Sequence, residues 1–111
     1  MIENRDIARY FSNLGYEKVA IYGYAALGKR LKQQLQTLNC VRVEYIIDRR
    51  VACNEVSDVE IVIPSKTMKA VDVIIVTAVH DYMRVKADLC GLGYENVISL
   101  EDLIDGISKN G

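Results

Sequence analysis

Six residues, Gly23-Tyr24-Ala25-Ala26-Leu27-Gly28, stand between a short apolar run, Val19-Ala20-Ile21-Tyr22, and a stretch with leucines near every fourth position. Their order is Gly-x-Gly-x-x-Gly with alanine in the second place. In that pattern the first glycine makes a tight turn, the second lets backbone approach a pyrophosphate, and the third lets the helix lie close on its strand. Amides at the helix start then meet the anion, helped by the helix dipole. Asp48 follows Gly28 by 20 residues, at the close of the next apolar run, where a carboxylate can accept hydrogen bonds from ribose hydroxyls. Each feature also has a plainer explanation. Gly23 and Gly28 can serve turn and packing alone, Asp48 can open a polar turn, and the Ala25 methyl stands where a phosphate would come close.

Further candidates cluster after the strongest apolar run. Thr77 and His80, in Thr77-Ala-Val-His80-Asp81, fall where chain connections diverge from the first strand, the place at which such sheets take ligands. Either can touch a nucleotide, although for an isolated histidine the favoured role is that His80 or Asp81 simply caps a helix. Arg49 and Arg50 suit a 2′-phosphate or a solvated charge pair. Tyr82 and Lys86 match a Tyr-x-x-x-Lys catalytic spacing, but they sit one helical turn apart directly after the fourth strand, an ordinary pairing on a helix face. Cys40, Cys53 and Cys90 are widely spaced with one histidine in the chain, which excludes a zinc site and suggests small core thiols in a reducing compartment.

The elements that must position these residues follow from periodicity. Ile7, Tyr10, Phe11 and Leu14 mark an amphipathic helix over residues 2–14, stopped by Gly15. Strand, turn and helix follow, the helix carrying Leu27, Leu31, Leu35 and Leu38. Residues 43–47 and 59–63 predict two further strands, the latter ended by Pro64. Residues 71–77 are β-branched almost throughout, as in a strand covered on both faces. A helix over 80–92, a strand over 96–99 and a helix over 100–107 complete the chain. Leu14-Gly-Tyr-Glu-Lys-Val19 recurs as Leu92-Gly-Tyr-Glu-Asn-Val97, which we interpret as one helix-to-strand joint used twice. Together these predict a single three-layer α/β domain, doubly wound around a mainly parallel sheet of order 3-2-1-4-5. The connection from Asp48 to Val59 is too short for a full helix and sends the third strand to an edge.

With 111 residues, half of them hydrophobic and one proline, the chain can bury a core without disulfide or metal staples. A formal net charge of −1 excludes a protein devoted to phosphate backbones, so no nucleic-acid partner is expected. No apolar stretch approaches the ~20 residues that cross a bilayer, and the opening residues lack a signal peptide's basic start and apolar run. A cytoplasmic protein without membrane contact is therefore expected.

Four segments, Lys18-Val-Ala-Ile-Tyr-Gly-Tyr-Ala-Ala-Leu-Gly-Lys-Arg-Leu31, Tyr45-Ile-Ile-Asp-Arg49, Asp72-Val-Ile-Ile-Val-Thr77 and Tyr94-Glu-Asn-Val-Ile-Ser-Leu-Glu-Asp-Leu103, carry a resemblance. They resemble the small Rossmann-like nucleotide-binding domains attached to bacterial sugar-modifying enzymes: sugar O-acyltransferases, polysaccharide-biosynthesis dehydratases, glycosyltransferases and methyltransferases. The resemblance implies a module that binds NAD, a nucleotide-sugar or no ligand, with Gly23, Ala25 and Gly28 at the phosphate turn and Asp48 at the ribose. The cofactor-binding candidates are thus Gly23, Tyr24, Ala25, Ala26, Leu27, Gly28, Asp48, Arg49, Thr77 and His80. The fold consumes nearly all the residues, so no catalysis by the chain alone is expected. The alternative is a scaffold domain that retains the fold without a ligand. Unpaired edges such as residues 59–63 predict a homodimer or a catalytic partner domain.

Overall fold

The computed structural model describes residues 4–38, 41–49 and 59–110. Five strands form one all-parallel sheet of order β3-β2-β1-β4-β5: β1 (Lys18–Tyr22), β2 (Arg42–Ile47), β3 (Ile61–Val62), β4 (Val73–Val76) and β5 (Val97–Ser99). Among the described residues four helices flank it: α1 (Asn4–Leu14), α2 (Ala26–Gln36), α3 (Tyr82–Gly91) and α4 (Leu100–Asn110). This is the doubly wound, three-layer arrangement and strand order expected from the alternation of apolar runs. No helix among the described residues is long and apolar enough to cross a membrane.

Two cores lie on the two faces of the sheet. Ile7 and Phe11 of α1, Leu31 and Leu35 of α2, and Leu103 and Ile107 of α4 pack on Val19, Ile21, Val43, Ile46, Val73 and Ile75. On the other face Val85 and Leu89 of α3 cover Ala20, Tyr22, Ile74 and Val76, with Tyr45 and Ile47 beside them. The alternation in β2 survives because pairing slips at Glu44: Val19 opposes Val43 but Ala20 opposes Tyr45. One extra residue in a strand resets its faces. Without it, Val43 and Ile46 would not share the α2 side.

The third strand is shorter than expected. Only Ile61 and Val62 pair, opposite Ile46 and Ile47, and Ile63 is left 68% exposed before Pro64. Residues 63–72 then reach β4 without a helix. Two tyrosines fasten this loop to the sheet, the Tyr45 hydroxyl donating to the Lys69 carbonyl at 2.7 Å and the Tyr94 hydroxyl to the Met68 carbonyl at 2.9 Å. Burial pushes the Tyr45 hydroxyl up to about 12, with Tyr94 and Glu44 adding to the effect.

The repeated Leu-Gly-Tyr-Glu joint ends its helix with the same backbone hydrogen bonds in both places. Gly15 and Gly93 take φ of 73° and 102°, each glycine amide donates three residues back, and Tyr16 and Tyr94 each donate five back, to Phe11 and Leu89. These are the paired bonds of a Schellman ending. The joints meet around the start of β4: Asp72 accepts the Glu17 and Lys18 amides at 2.8 and 2.9 Å, and Asn96 donates to the Tyr16 hydroxyl and the Asp72 carbonyl. Those two amides hold the Asp72 carboxyl below its usual range. Asp72 was expected inside a strand; it precedes β4 and ties β1 to it.

Some expectations change at the helices. Leu14 lies at the exposed end of α1 rather than in its apolar stripe, and Leu38 is buried although α2 ends at Gln36. The helix after β4 begins as a 3-10 turn, Val79–Asp81, before α3 proper. Cys90 is exposed on α3, not a core thiol, while Cys40 and Cys53 lie outside the described residues.

Candidate functional site

The glycine-rich turn leaves β1 at the carboxyl end of the sheet, between the ends of β2 and β4. Gly23 has φ of +103°, in the region that penalises side chains, and its amide donates to the Ile47 carbonyl at 2.8 Å. A Cβ there would also stand 2.6 Å from the Thr77 hydroxyl. The third glycine is more constrained still: a Cβ on Gly28 would sit 1.9 Å from the Gly23 carbonyl oxygen. The helix start is therefore pressed against the turn itself, which is the packing role expected of that position.

Two buried side chains hold this turn from either side. From β2, the Asp48 carboxylate accepts the Tyr24 amide at 2.8 Å, while its own amide donates to the Val62 carbonyl of β3. From the end of β4, the Thr77 hydroxyl lies 2.9 Å from the Tyr22 carbonyl and 3.2 Å from that of Gly23. Such bonds, made by a buried hydroxyl and a buried carboxylate, fix the peptide planes on which any anion would have to land.

The rest of the turn faces outward. Ala25, in extended conformation, occupies the cap position of α2 and supplies no side-chain cap to the first turn of the helix. Ala25, Ala26 and Leu27 are exposed. Tyr24 turns its ring toward α2, where Lys29 and Lys32 place their ammonium groups 5.1 and 5.7 Å from its centre. This arrangement can receive a phosphate or other oxyanion at the helix start, with Asp48 beside it.

The remaining candidates are distributed differently. Arg49 pairs with Asp88 of α3 at 3.3 Å, and Arg84 joins the same carboxylate at 3.8 Å and Asp81 at 3.5 Å. Arg49 is thus engaged across the sheet end, and Arg50 lies outside the described residues. His80 is exposed in the 3-10 turn. Asp81 occupies the cap position of α3 but makes no side-chain cap bond, its carboxylate being turned to Arg84. The Tyr82 hydroxyl donates to the Val97 carbonyl at 3.2 Å and Lys86 lies over its ring, so the Tyr-x-x-x-Lys spacing has a packing role.

Asp88 is the residue the sequence did not single out. Its spacing from Arg84 was legible, its pairing with Arg49 was not, because 39 residues separate them. Among the described residues no group of three or more His, Cys, Asp or Glu is placed to hold a metal. An open cleft of about 500 Å³ lined by Glu17, Lys18, Gln36, Leu38, Val41, Arg42 and Val43 lies at the opposite, amino end of β1 and β2. Compared with models of protein families, with curated proteins and with solved structures, the chain matches none of them.

Proposed function

We propose that the chain is a nucleotide-binding module, taking NAD or a nucleotide-sugar, in a bacterial sugar-processing or polysaccharide-biosynthesis system, and that it does not catalyse a reaction by itself. One observation carries this reading. The turn over residues 23–28 is packed glycine against glycine, braced by Asp48 and Thr77, and opens the uncapped start of α2 at the point where the sheet's connections diverge. The diphosphate would lie on the amides of Ala26, Leu27 and Gly28, with ribose toward Asp48 and Thr77 and His80 along the β4 side. The small-molecule nucleotide is the partner, with neither nucleic acid nor membrane involved; a reaction would need a wall from another copy or domain.

A second reading is a scaffold domain without a ligand. It is favoured by the Ala25 methyl in the turn and by the Asp48 carboxylate already accepting the Tyr24 amide. Thermal unfolding with NAD, NADP, coenzyme A and several nucleotide-sugars separates the two. A ligand at 100 times its dissociation constant adds about 2.7 kcal/mol to stability. No shift with any of them at millimolar concentration would favour the scaffold.

A further inference from the structure

The Val62 carbonyl accepts the Asp48 amide and the Asp72 amide donates to the Lys18 carbonyl, so both residues are fixed to the sheet by backbone bonds. Between them, residues 63–71 make no backbone-to-backbone bond with any other described part of the chain. Two phenols hold this segment instead, and they take neighbouring carbonyls: Tyr94 that of Met68 and Tyr45 that of Lys69. The phenols come from β2 and from the joint before β5, strands that stand three steps apart in the sheet. Of the segment's apolar side chains, Met68 and Val71 pack on the α3 face of the core. Met68 also lines two clefts, one of about 360 Å³ that reaches Ile74, Leu92 and Tyr94, and one of about 250 Å³ that reaches Tyr45, Glu60 and Val62. Lys66, Thr67, Lys69 and Ala70 are exposed.

We propose that residues 63–71 are a lid, latched by the hydroxyls of Tyr45 and Tyr94, that opens as a unit while the sheet and helices stay folded. The fixed ends confine the motion to the segment between them. Opening gives up two phenol bonds and the packing of Met68 and Val71, and nothing in the sheet ladder has to break. Segments with so few buried apolar contacts open at a lower free energy than core strands and helices do. The latch also couples opening to hydration. Tyr45 is 3% exposed, and a buried hydroxyl that loses its carbonyl must find another acceptor, so water or a ligand oxygen has to enter as the lid leaves. Lifting Met68 then joins the two clefts into one groove from Val62 of β3 to Ile74 of β4, with two phenol donors released into it. This device lies on the α3 face, away from the glycine turn, and holds or fails independently of nucleotide binding.

Native-state proteolysis of the full chain with trypsin tests it, because Lys66 and Lys69 lie in the lid and a protease cuts the transiently opened form. Cuts after Lys66 and Lys69 are expected at a rate that hardly changes with urea well below the unfolding midpoint, whereas cuts after Lys29 in α2 and Lys86 in α3 wait for global unfolding. Tyr45→Phe and Tyr94→Phe keep the rings and should each speed the lid cuts roughly fivefold, and more together. Tyr82→Phe removes a hydroxyl bonded to the Val97 carbonyl, outside the lid, and should leave those cuts unchanged. Circular dichroism verifies that the variants fold. Lid cuts that come no earlier than those in α2, or that follow global stability in urea, overturn the proposal. So do lid cuts indifferent to both latch substitutions, or sped equally by Tyr82→Phe.

Discussion

Substituting the third glycine, Gly28→Ala, should destabilise the domain strongly although it improves a helix. In an exposed helical position the exchange gains about 1 kcal/mol. Here the added methyl meets the Gly23 carbonyl oxygen at 1.9 Å, and backbone cannot swing aside as a side chain can. Bringing the contact to even 3.0 Å moves α2 about 1 Å from the turn. A gap of 0.5–1 Å forfeits roughly a quarter to a half of each dispersion contact it opens, and a buried leucine makes some 40–60 of them. Leu31 and Leu35 hold α2 on the sheet, so the net loss after the helical gain is roughly 2–4 kcal/mol. In urea, at about 2 kcal/mol per molar, that lowers the midpoint by about 1–2 M with unchanged slope. Gly91→Ala is the matched control: Gly91 ends α3 with nothing within 4 Å of an added Cβ and no positive φ, and it should stabilise slightly. Equal midpoints for the two variants would refute the close packing of helix on turn.

Other substitutions test the remaining contacts. Thr77→Val keeps the shape but removes the hydroxyl bond to the end of β1, which should cost about 1 kcal/mol in the same assay, with Thr77→Ser costing less. Asp48→Ala leaves the Tyr24 amide without its acceptor and should lower stability by roughly 1–2 kcal/mol while weakening any nucleotide-induced thermal shift. Asp72 has its folded pKa depressed by two amides, so its contribution is present above the unfolded carboxyl value and is lost as pH falls through the folded one; Asp72→Asn should flatten the acid limb of stability against pH. Tyr45 is raised to about 12, so it stabilises fully below the unfolded tyrosine value of ~10 and loses that contribution as pH rises toward 12; Tyr45→Phe should remove this alkaline loss.

What was legible in the sequence was local or periodic. The strand order follows from apolar runs alternating with helical patterns, and the twin joints from a glycine that must take positive φ in the middle of Leu-Gly-Tyr-Glu. The contact of Gly28 with Gly23 was readable because only four residues separate them. The slip at Glu44 was not, since an extra residue is visible only against the partner strand. Neither was the brevity of β3, whose pairing ends where Ile46 and Ile47 end. At the site, Asp48 stands where its spacing placed it, but its bond to Tyr24 depends on how two strand ends meet. Arg49 and Asp88 belong to different elements, and no periodicity connects them. Thr77 was singled out for its position; its hydroxyl bonds to the backbone that ends β1 depend on the register between β1 and β4.

Amide chemical shifts of the isotope-labelled chain, titrated with NAD and with nucleotide-sugars, test the central claim most directly, because they report where a ligand sits. The account predicts saturable shifts concentrated at Gly23, Tyr24, Ala25, Ala26, Leu27 and Gly28, with smaller ones at Asp48 and Thr77. Shifts confined to the cleft around Glu17, Lys18 and Arg42, or none at millimolar ligand, would contradict it.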